Sequence, residues 1–184
     1  MAVAVTPGGR VWLRAARPTD VAAMQAIEVD AGDRFRAIGM DAVADDPPPA
    51  TELLLEHVSA GTAWVAIAGA TDGVPLGYAL ASEVDGEGHL DQVSVRSDAS
   101  GRGVGALLVE AALAWSRAAG HPAVTLTTYR DVRWNGPWYV RLGFVAIPED
   151  ALTPGLRGIR AWERERGLEP PARIAMRRPI GTTP

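Results

Sequence analysis

The residues best suited to chemistry lie between His89 and Ala106. His89 and Asp91 stand two apart, and Ser100-Gly101-Arg102-Gly103-Val104-Gly105-Ala106 follows. Glycines at three alternate positions, beside an arginine and at the start of a helical pattern, suit an anion. Glycine lets a phosphate approach backbone N–H groups without a clashing Cβ, and the first turn of a helix leaves those groups unsatisfied. The helix dipole and Arg102 add positive charge. A phosphate or pyrophosphate is therefore expected at Arg102–Ala106. Gly-Lys-Ser/Thr is absent and the chain has no lysine, so a P-loop is excluded. The dinucleotide fingerprint is a closer rival, since Gly101-x-Gly103-x-x-Ala106 fits its Gly/Ala variant. That fold usually begins with its fingerprint, whereas this loop falls past the middle of a short chain.

The elements that position this loop can be read from periodicity. His89 to Val95 reads as a strand, with Val93 and Val95 suited to a pleated surface. His89, Asp91, Val93 and Val95 then share one face. After the loop, Val104, Leu107, Leu108, Ala111 and Trp115 fall on one face of a helix. Gly120 is its left-handed stop, with Pro122 beyond. Ala123–Thr128 is a strand parallel to His89–Val95, closing a βαβ crossover.

Upstream, Met1–Gly9 is expected as a loose tail and Arg10–Arg14 as the first strand. Pro18-Thr19-Asp20 opens a helix with Val21, Met24 and Ile27 inward. The Asp45–Pro49 run is irregular, because proline sustains neither helix nor ladder. A helix over Thr51–Ser59 presents Leu54, Leu55 and Val58 as its apolar side. Strands at Thr62–Ala68 and Leu76–Val84 flank a turn at Asp72-Gly73. Downstream come a short helix at Asn135–Leu142, a strand at Phe144–Ile147, a helix at Thr153–Arg166 bearing Trp162, and a last strand at Ala172–Arg177. The fold class is α/β, with a mixed, mostly antiparallel sheet, one parallel crossover and helices on both faces. Residues 10–184 read as a single domain.

Val93-x-Val95 followed by Ser100–Ala106 resembles the acetyl-CoA-binding motif of the GNAT N-acetyltransferases, Gln/Arg-x-x-Gly-x-Gly/Ala. Gly103 and Gly105 fill its glycine positions, and Ser100 stands where Gln or Arg is usual. Trp134-Asn135-Gly136-Pro137-Trp138-Tyr139-Val140-Arg141-Leu142-Gly143-Phe144 resembles the second signature of that family, an Asn-started helix ending Tyr-x-x-x-Gly-Phe. The resemblance spans about Val11 to Arg178 and is sharp between His89 and Phe144. It implies acetyl-CoA as co-substrate, with the pantetheine arm along the backbone of Val93, Ser94 and Val95 and the pyrophosphate at Ser100–Ala106. It places Asn135 and Trp138 beside the arm.

The resemblance implies that Tyr139 gives a proton to the leaving sulfur, a role that suits a phenol neutral at pH 7. A Glu or His at the strand positions of His89 and Asp91 takes the amine proton, and Glu83 is a weaker candidate. His89 has the better unperturbed pKa, while Asp91 needs burial or a water chain. The oxyanion is held by backbone N–H near Val93. The acceptor, a small-molecule or peptide amine, is walled by Glu28–Gly39. Glu28 and Asp30 suit a cationic amine, Arg34 a carboxylate, and Trp134 and Trp138 an aromatic wall, with Phe35 also among the acceptor-binding residues. A catalytically inactive acyl-CoA sensor and a nucleotide-dependent oxidoreductase are the alternative readings.

Composition bounds the rest. A formal charge of −4 and pI near 5.4 argue against nucleic acid as the main partner. No run reaches the ~18 apolar residues of a membrane span, and the N-terminus is too short and uncharged for a signal peptide. Absence of cysteine excludes disulfides, thiolate zinc sites and a cysteine nucleophile, and fits a cytoplasmic protein. His57, His89 and His121 show no ligand spacing, so no metal is expected. Monomer and homodimer are both compatible with the sequence.

Overall fold

The computed structural model describes residues 2–6, 9–69, 73–169 and 172–181. Asp72 of the expected Asp72-Gly73 turn lies outside the described residues. Two compact units are present, Met1–Ala81 with Gln92–Ala112, and Ser82–Asp91 with Leu113–Pro184.

The strands β1 (Ala2–Thr6), β2 (Gly9–Ala15), β3 (Ala63–Ala68), β4 (Pro75–Val84) and β5 (Glu87–Val95) are neighbours in that order, and the first unit takes β1 to β3, β4 up to Ala81 and β5 from Gln92. β1 occupies the stretch expected as a tail and pairs antiparallel with β2, from Ala2↔Leu13 to Thr6↔Gly9. β2 pairs antiparallel with β3, and β3 with β4. The helices of this unit are α1 (Val21–Gly32), α2 (Asp41–Ala44), α3 (Thr51–Ala60) and the first part of α4 (Val104–Ala118).

Asp20 organises the entry to α1. Its carboxylate accepts the Arg17 N–H at 2.7 Å and two hydrogen bonds from Arg14 at 2.6 and 2.9 Å. Val21, Met24 and Ile27 of α1 and Leu54 of α3 then pack on Val65 and Ile67 of β3 and on Tyr78 and Leu80 of β4. Full burial of a side chain such as Leu54 contributes about 1.5–3 kcal/mol. Leu55, expected on the same face as Leu54, is exposed instead. Leu54 and Val58, four residues apart, form the inward stripe, and Leu55 sits one helical step beyond it.

Alternation along β4 puts Gly77 on the face opposite Tyr78. A side chain at Gly77 would meet the Ser94 carbonyl at 2.7 Å and Leu108 Cδ1 of α4 at 3.1 Å. So α1 and α3 cover one face of this part of the sheet and α4 covers the other, the two-faced arrangement the sequence pattern implies.

Asp85 and Gly86, at φ 53° and 79°, link β4 to β5, and two successive positive-φ residues are the signature of a tight hairpin turn. In the second unit β6 (Ala123–Tyr129), β8 (Arg173–Pro179) and β7 (Val145–Ala146) follow β5 in the strand order. β5 and β6 are the parallel pair, while β8 is antiparallel to β6 and to β7. Helices α5 (Gly136–Arg141) and α6 (Pro154–Glu165) complete the unit. Leu152 and Leu156 pack with Ala175 of β8, together with Val84, Ile147 and Ile159. Gly120 closes the turn after α4 at φ 83°, as its position predicts.

Candidate active site

In the first unit, β5 feeds a short turn, Ser97–Ala99, and then the glycine loop. The turn is anchored by Asp30 near the end of α1, which accepts the Ser97 N–H at 2.5 Å and the Ser97 hydroxyl at 3.0 Å. Asp30 was expected to meet an acceptor, and the structure commits it to this loop. Ser100, Gly101, Arg102 and Gly103 are exposed, whereas Val104 is buried. Gly101 and Gly103 adopt φ 76° and 84°, conformations that a residue with a Cβ disfavours by about 1–2 kcal/mol. The Leu107 N–H bonds to the Gly103 carbonyl at 3.1 Å. Helix geometry therefore leaves the amides of Val104, Gly105 and Ala106 ahead of the hydrogen-bonded ladder. Arg102 makes no ion pair among the described residues. A phosphate placed there would meet a helix N-terminus, glycine backbone and one available guanidinium.

The same unit holds a cluster that periodicity did not reveal. The Glu28 carboxylate on α1 accepts hydrogen bonds from the Tyr78 hydroxyl at 2.6 Å, the Ser94 hydroxyl at 2.5 Å and the Gln92 side-chain amide at 2.8 Å. The Gln92 amide also reaches the Ser94 hydroxyl at 3.0 Å. Tyr78 is fully buried, and burial pushes its phenol well above the usual tyrosine range, an effect to which Glu28 adds. Sequence reasoning singled out Glu28 and Ser94 for separate tasks and missed Tyr78 and Gln92. The tyrosine inside the largely apolar Leu76–Ala81 run was the available signal, whereas the polar residues of β5 gave none for Gln92. Arg34 and Phe35 lie half-buried in the 3-10 turn Asp33–Ile38. Its neighbour Arg36 pairs with Asp45 at 2.5 Å and Asp33 at 3.3 Å.

In the second unit, parallel pairing of β5 with β6 runs from Gly88↔Val124 to Leu90↔Leu126. It goes no further, although both strands continue. His89 sits inside this short ladder, 3% exposed, with Nδ1 2.8 Å from the Thr125 hydroxyl. Burial lowers its pKa, against the pull of Asp91 and Glu163, so the ring is neutral near pH 7. His89 is thus neither at a solvent-facing strand start nor open to a ligand along its Nδ1 edge. Asp91 was expected to face the sheet interior; it is exposed and accepts the Ser82 hydroxyl at 2.9 Å. Glu83 lies 3.1 Å from His121 Nε2, whose Nδ1 lies 3.1 Å from the Ser116 hydroxyl.

Tyr139 is buried on α5, its ring 4.8 Å from Trp138 and 5.6 Å from Phe144 between centroids. Burial raises its pKa and Arg173 draws it part of the way back. No hydrogen bond to its hydroxyl is made among the described residues. Asn135 precedes α5 and donates through Nδ2 to the Thr128 hydroxyl at 2.9 Å, while its Oδ1 is buried without a hydrogen-bond donor. A buried acceptor in that position is what an amide-bearing arm would satisfy. Trp134 is half-buried in the preceding turn.

Behind β6 lies a charged network absent from the sequence expectations. Arg160 and Glu163 of α6 are buried and paired, Arg160 also bonds Glu169, and Arg173 bonds Glu163 at 2.7 Å. The Thr127 hydroxyl donates to Glu163 at 2.5 Å. Burial pushes the Glu163 carboxyl up, but Arg173, Thr127 and Arg160 together hold it below the usual range. Arg173 lies 4.5 Å from the Tyr129 ring centroid, a cation–π distance. Among the described residues, no three His, Asp or Glu side chains converge as a metal site, and no helix is long and apolar enough to cross a membrane.

A family model described as the Acetyltransferase (GNAT) family matches residues 23–144. Among solved structures, the N-acetylglutamate synthase from Neisseria gonorrhoeae, complexed with coenzyme A and N-acetyl-glutamate, is similar at 18% identity and TM-score 0.67. The match covers 93% of this chain and 35% of that one, so this chain spans about a third of that protein. Rv2747 from Mycobacterium tuberculosis, in complex with CoA, matches at 19% identity and TM-score 0.69, over 92% of this chain and 99% of that one. A GCN5-related N-acetyltransferase from Rhodopseudomonas palustris matches at 22% identity and TM-score 0.63, over 98% and 99% of the two chains. At these identities the likeness is one of fold.

Proposed function

The chain belongs to the GNAT acetyltransferase family, and from that premise we propose that it is an acetyl-CoA-dependent N-acetyltransferase. It moves the acetyl group to a primary amine by direct attack in a ternary complex, with residues 10–184 acting as one catalytic domain. The observation that carries this reading is the parallel ladder that stops at Leu90↔Leu126. Beyond it, the backbone of Val93, Ser94 and Val95 is left to hold a pantetheine arm. The amides of Val104, Gly105 and Ala106, with Arg102, are left to hold the pyrophosphate. Ser100 and Gly101 shape that loop, and the unsatisfied Asn135 Oδ1 accepts an amide N–H of the arm beside Trp138.

The balance of the reaction assigns work to the chain. An ammonium R–NH3+ and acetyl-CoA give the amide R–NH–acetyl, the free thiol and one proton. An alkylamine with a pKa of ~10 is mostly protonated at pH 7, so one proton must leave before nitrogen can attack. The resemblance puts this task on His89 or Asp91. The exposure of Asp91 supports a route through water, and the bond from His89 Nδ1 to Thr125 leaves only its other ring nitrogen for the task. Attack builds negative charge on the carbonyl oxygen, which the N–H near Val93 stabilises. The C–S bond then breaks, and the Tyr139 hydroxyl gives its proton to sulfur and regains one from the new amide nitrogen. A phenol raised above an ordinary thiol of ~8.5 is the weaker acid, so the transfer occurs as the sulfur charge develops rather than before it.

Thermal stability measured with acetyl-CoA, CoA and NAD at saturation tests the reading. Ligand at ~100 times its Kd stabilises by about 2.7 kcal/mol, several degrees for a domain of this size. Stabilisation by both CoA forms, and thiol release from acetyl-CoA on adding primary amines, is the expected result. A CoA shift without thiol release would favour the sensor, and a shift with NAD alone the oxidoreductase.

A further inference from the structure

The cluster around Glu28 does more than brace α1. We propose that Glu28, held by Tyr78, Gln92 and Ser94, receives the acceptor's ammonium group and takes its proton. This makes Glu28 a catalytic residue. The proposal rests on the acetyltransferase reading above and moves the amine's proton from the strand residues His89 and Asp91 to Glu28.

Three observations carry it. The first is position. Gln92 and Ser94 flank Val93, the residue whose N–H is proposed to hold the thioester oxygen, and both side chains bond to Glu28. A carboxylate is therefore fastened to the two neighbours of the reacting carbonyl's partner, within one compact unit.

The second is valence. A carboxylate has about four acceptor positions. Glu28 Oε2 is satisfied by Tyr78 and Ser94, whereas Oε1 holds one bond, from Gln92. One position on Oε1 has no protein donor among the described residues, and Glu28 is only half-buried, so a donor from outside can reach it.

The third is rigidity with charge. Tyr78, Ser94 and Gln92 are all neutral donors, and Tyr78 is the titratable group bonded to Glu28. Burial and Glu28 itself keep that phenol protonated. Asp30, the next acidic residue of α1, is occupied by Ser97. Among the described residues, the hydrogen-bond donors to Glu28 are thus neutral, and the cluster offers one fixed negative charge.

The step balances simply. R–NH3+ gives one proton to the Glu28 carboxylate, leaving R–NH2 and a carboxylic acid. The neutral nitrogen attacks the thioester carbon, and Glu28 returns its proton to solvent after product leaves. The second nitrogen proton ends on the sulfur, by way of Tyr139.

The test compares the wild-type chain with Glu28→Gln and Glu28→Asp, using benzylamine, tyramine and spermidine as acceptors. Thiol release is read directly, since the protein contributes no cysteine background. Glu28→Gln should keep its stabilisation by acetyl-CoA and lose about 100-fold or more in kcat/KM near neutral pH, the usual worth of a general base. The loss should shrink about tenfold per pH unit as pH approaches the amine's pKa of ~10, because neutral amine then supplies itself. Should Glu28→Gln fail to fold, Glu28→Asp keeps the charge but withdraws it by one methylene, and is expected to show the same pH-dependent loss with a smaller amplitude. Variants within about threefold of wild type, or a loss uniform across pH, would reduce Glu28 to a brace and overturn the proposal. A wild-type chain that binds acetyl-CoA yet acetylates none of these amines takes down the acetyltransferase reading, and the proposal with it.

Discussion

His89 Nδ1 lies 2.8 Å from the Thr125 hydroxyl, one step before parallel pairing of β5 and β6 ends. The histidine that looked from the sequence like a candidate for proton transfer is also a rivet at the point where the ladder opens. The Thr125 hydroxyl in turn bonds the Gly88 carbonyl at 3.2 Å, closing a buried polar link between the strands.

Acid should expose that link. Burial holds the folded pKa of His89 below the ordinary histidine value of 6.5, so the unfolded chain binds a proton more readily. The stability that neutral His89 contributes is present above pH 6.5 and is lost as pH falls through and below that value. Chemical denaturation across pH 7.5 to 5 should show this decline, and His89→Asn should flatten it. A wild-type curve that is flat over the range would contradict the burial of the ring.

Glu163 should produce a second and deeper acid step. Its folded pKa lies below the ordinary glutamate value of 4.5, so its contribution is present above 4.5 and is lost as pH falls below it. At neutral pH, Glu163→Ala leaves the buried Arg160 and the half-buried Arg173 without their shared carboxylate. Breaking a buried pair in this way typically costs about 3–5 kcal/mol. Urea titration monitored by tryptophan fluorescence would measure the loss.

Tyr139→Phe keeps the contacts with Trp138 and Phe144 and removes only the hydroxyl. The expected outcome is unchanged melting temperature and a fall in kcat of roughly 100-fold, in line with loss of a general acid. Stopped-time thiol release at saturating acetyl-CoA measures it. Unchanged turnover would retire the acid role.

Gly103→Ala places a Cβ at φ 84°, and a left-handed conformation costs a non-glycine residue about 1–2 kcal/mol. Arg102→Ala instead removes charge without strain. Both variants should weaken CoA binding, but only Gly103→Ala should lower the melting temperature of the ligand-free protein. Calorimetric titration of CoA into each variant separates the two effects. For Arg102→Ala, about a tenfold increase in Kd corresponds to ~1.4 kcal/mol.

Much of this was legible in one dimension, because it depends on local chemistry. The glycine loop before an amphipathic face, the Gly120 stop and the strand–helix–strand order all follow from backbone preferences and periodicities that act within a few residues, while the Asn135–Phe144 signature was legible through the family resemblance. The element boundaries that moved were those where tertiary pairing decides: Ala2–Thr6 became a strand because β2 presents an edge to it. Leu55 turned outward because the apolar stripe of α3 passes through Leu54 and Val58. Side-chain partnership was beyond the sequence altogether. Glu28 meets Tyr78, Gln92 and Ser94 across 50 to 66 positions of chain, and Glu163 meets Thr127 across 36. Such contacts are fixed by how strands and helices pack, so a composition of ordinary charges acquires its chemistry only when the fold brings particular pairs out of water together.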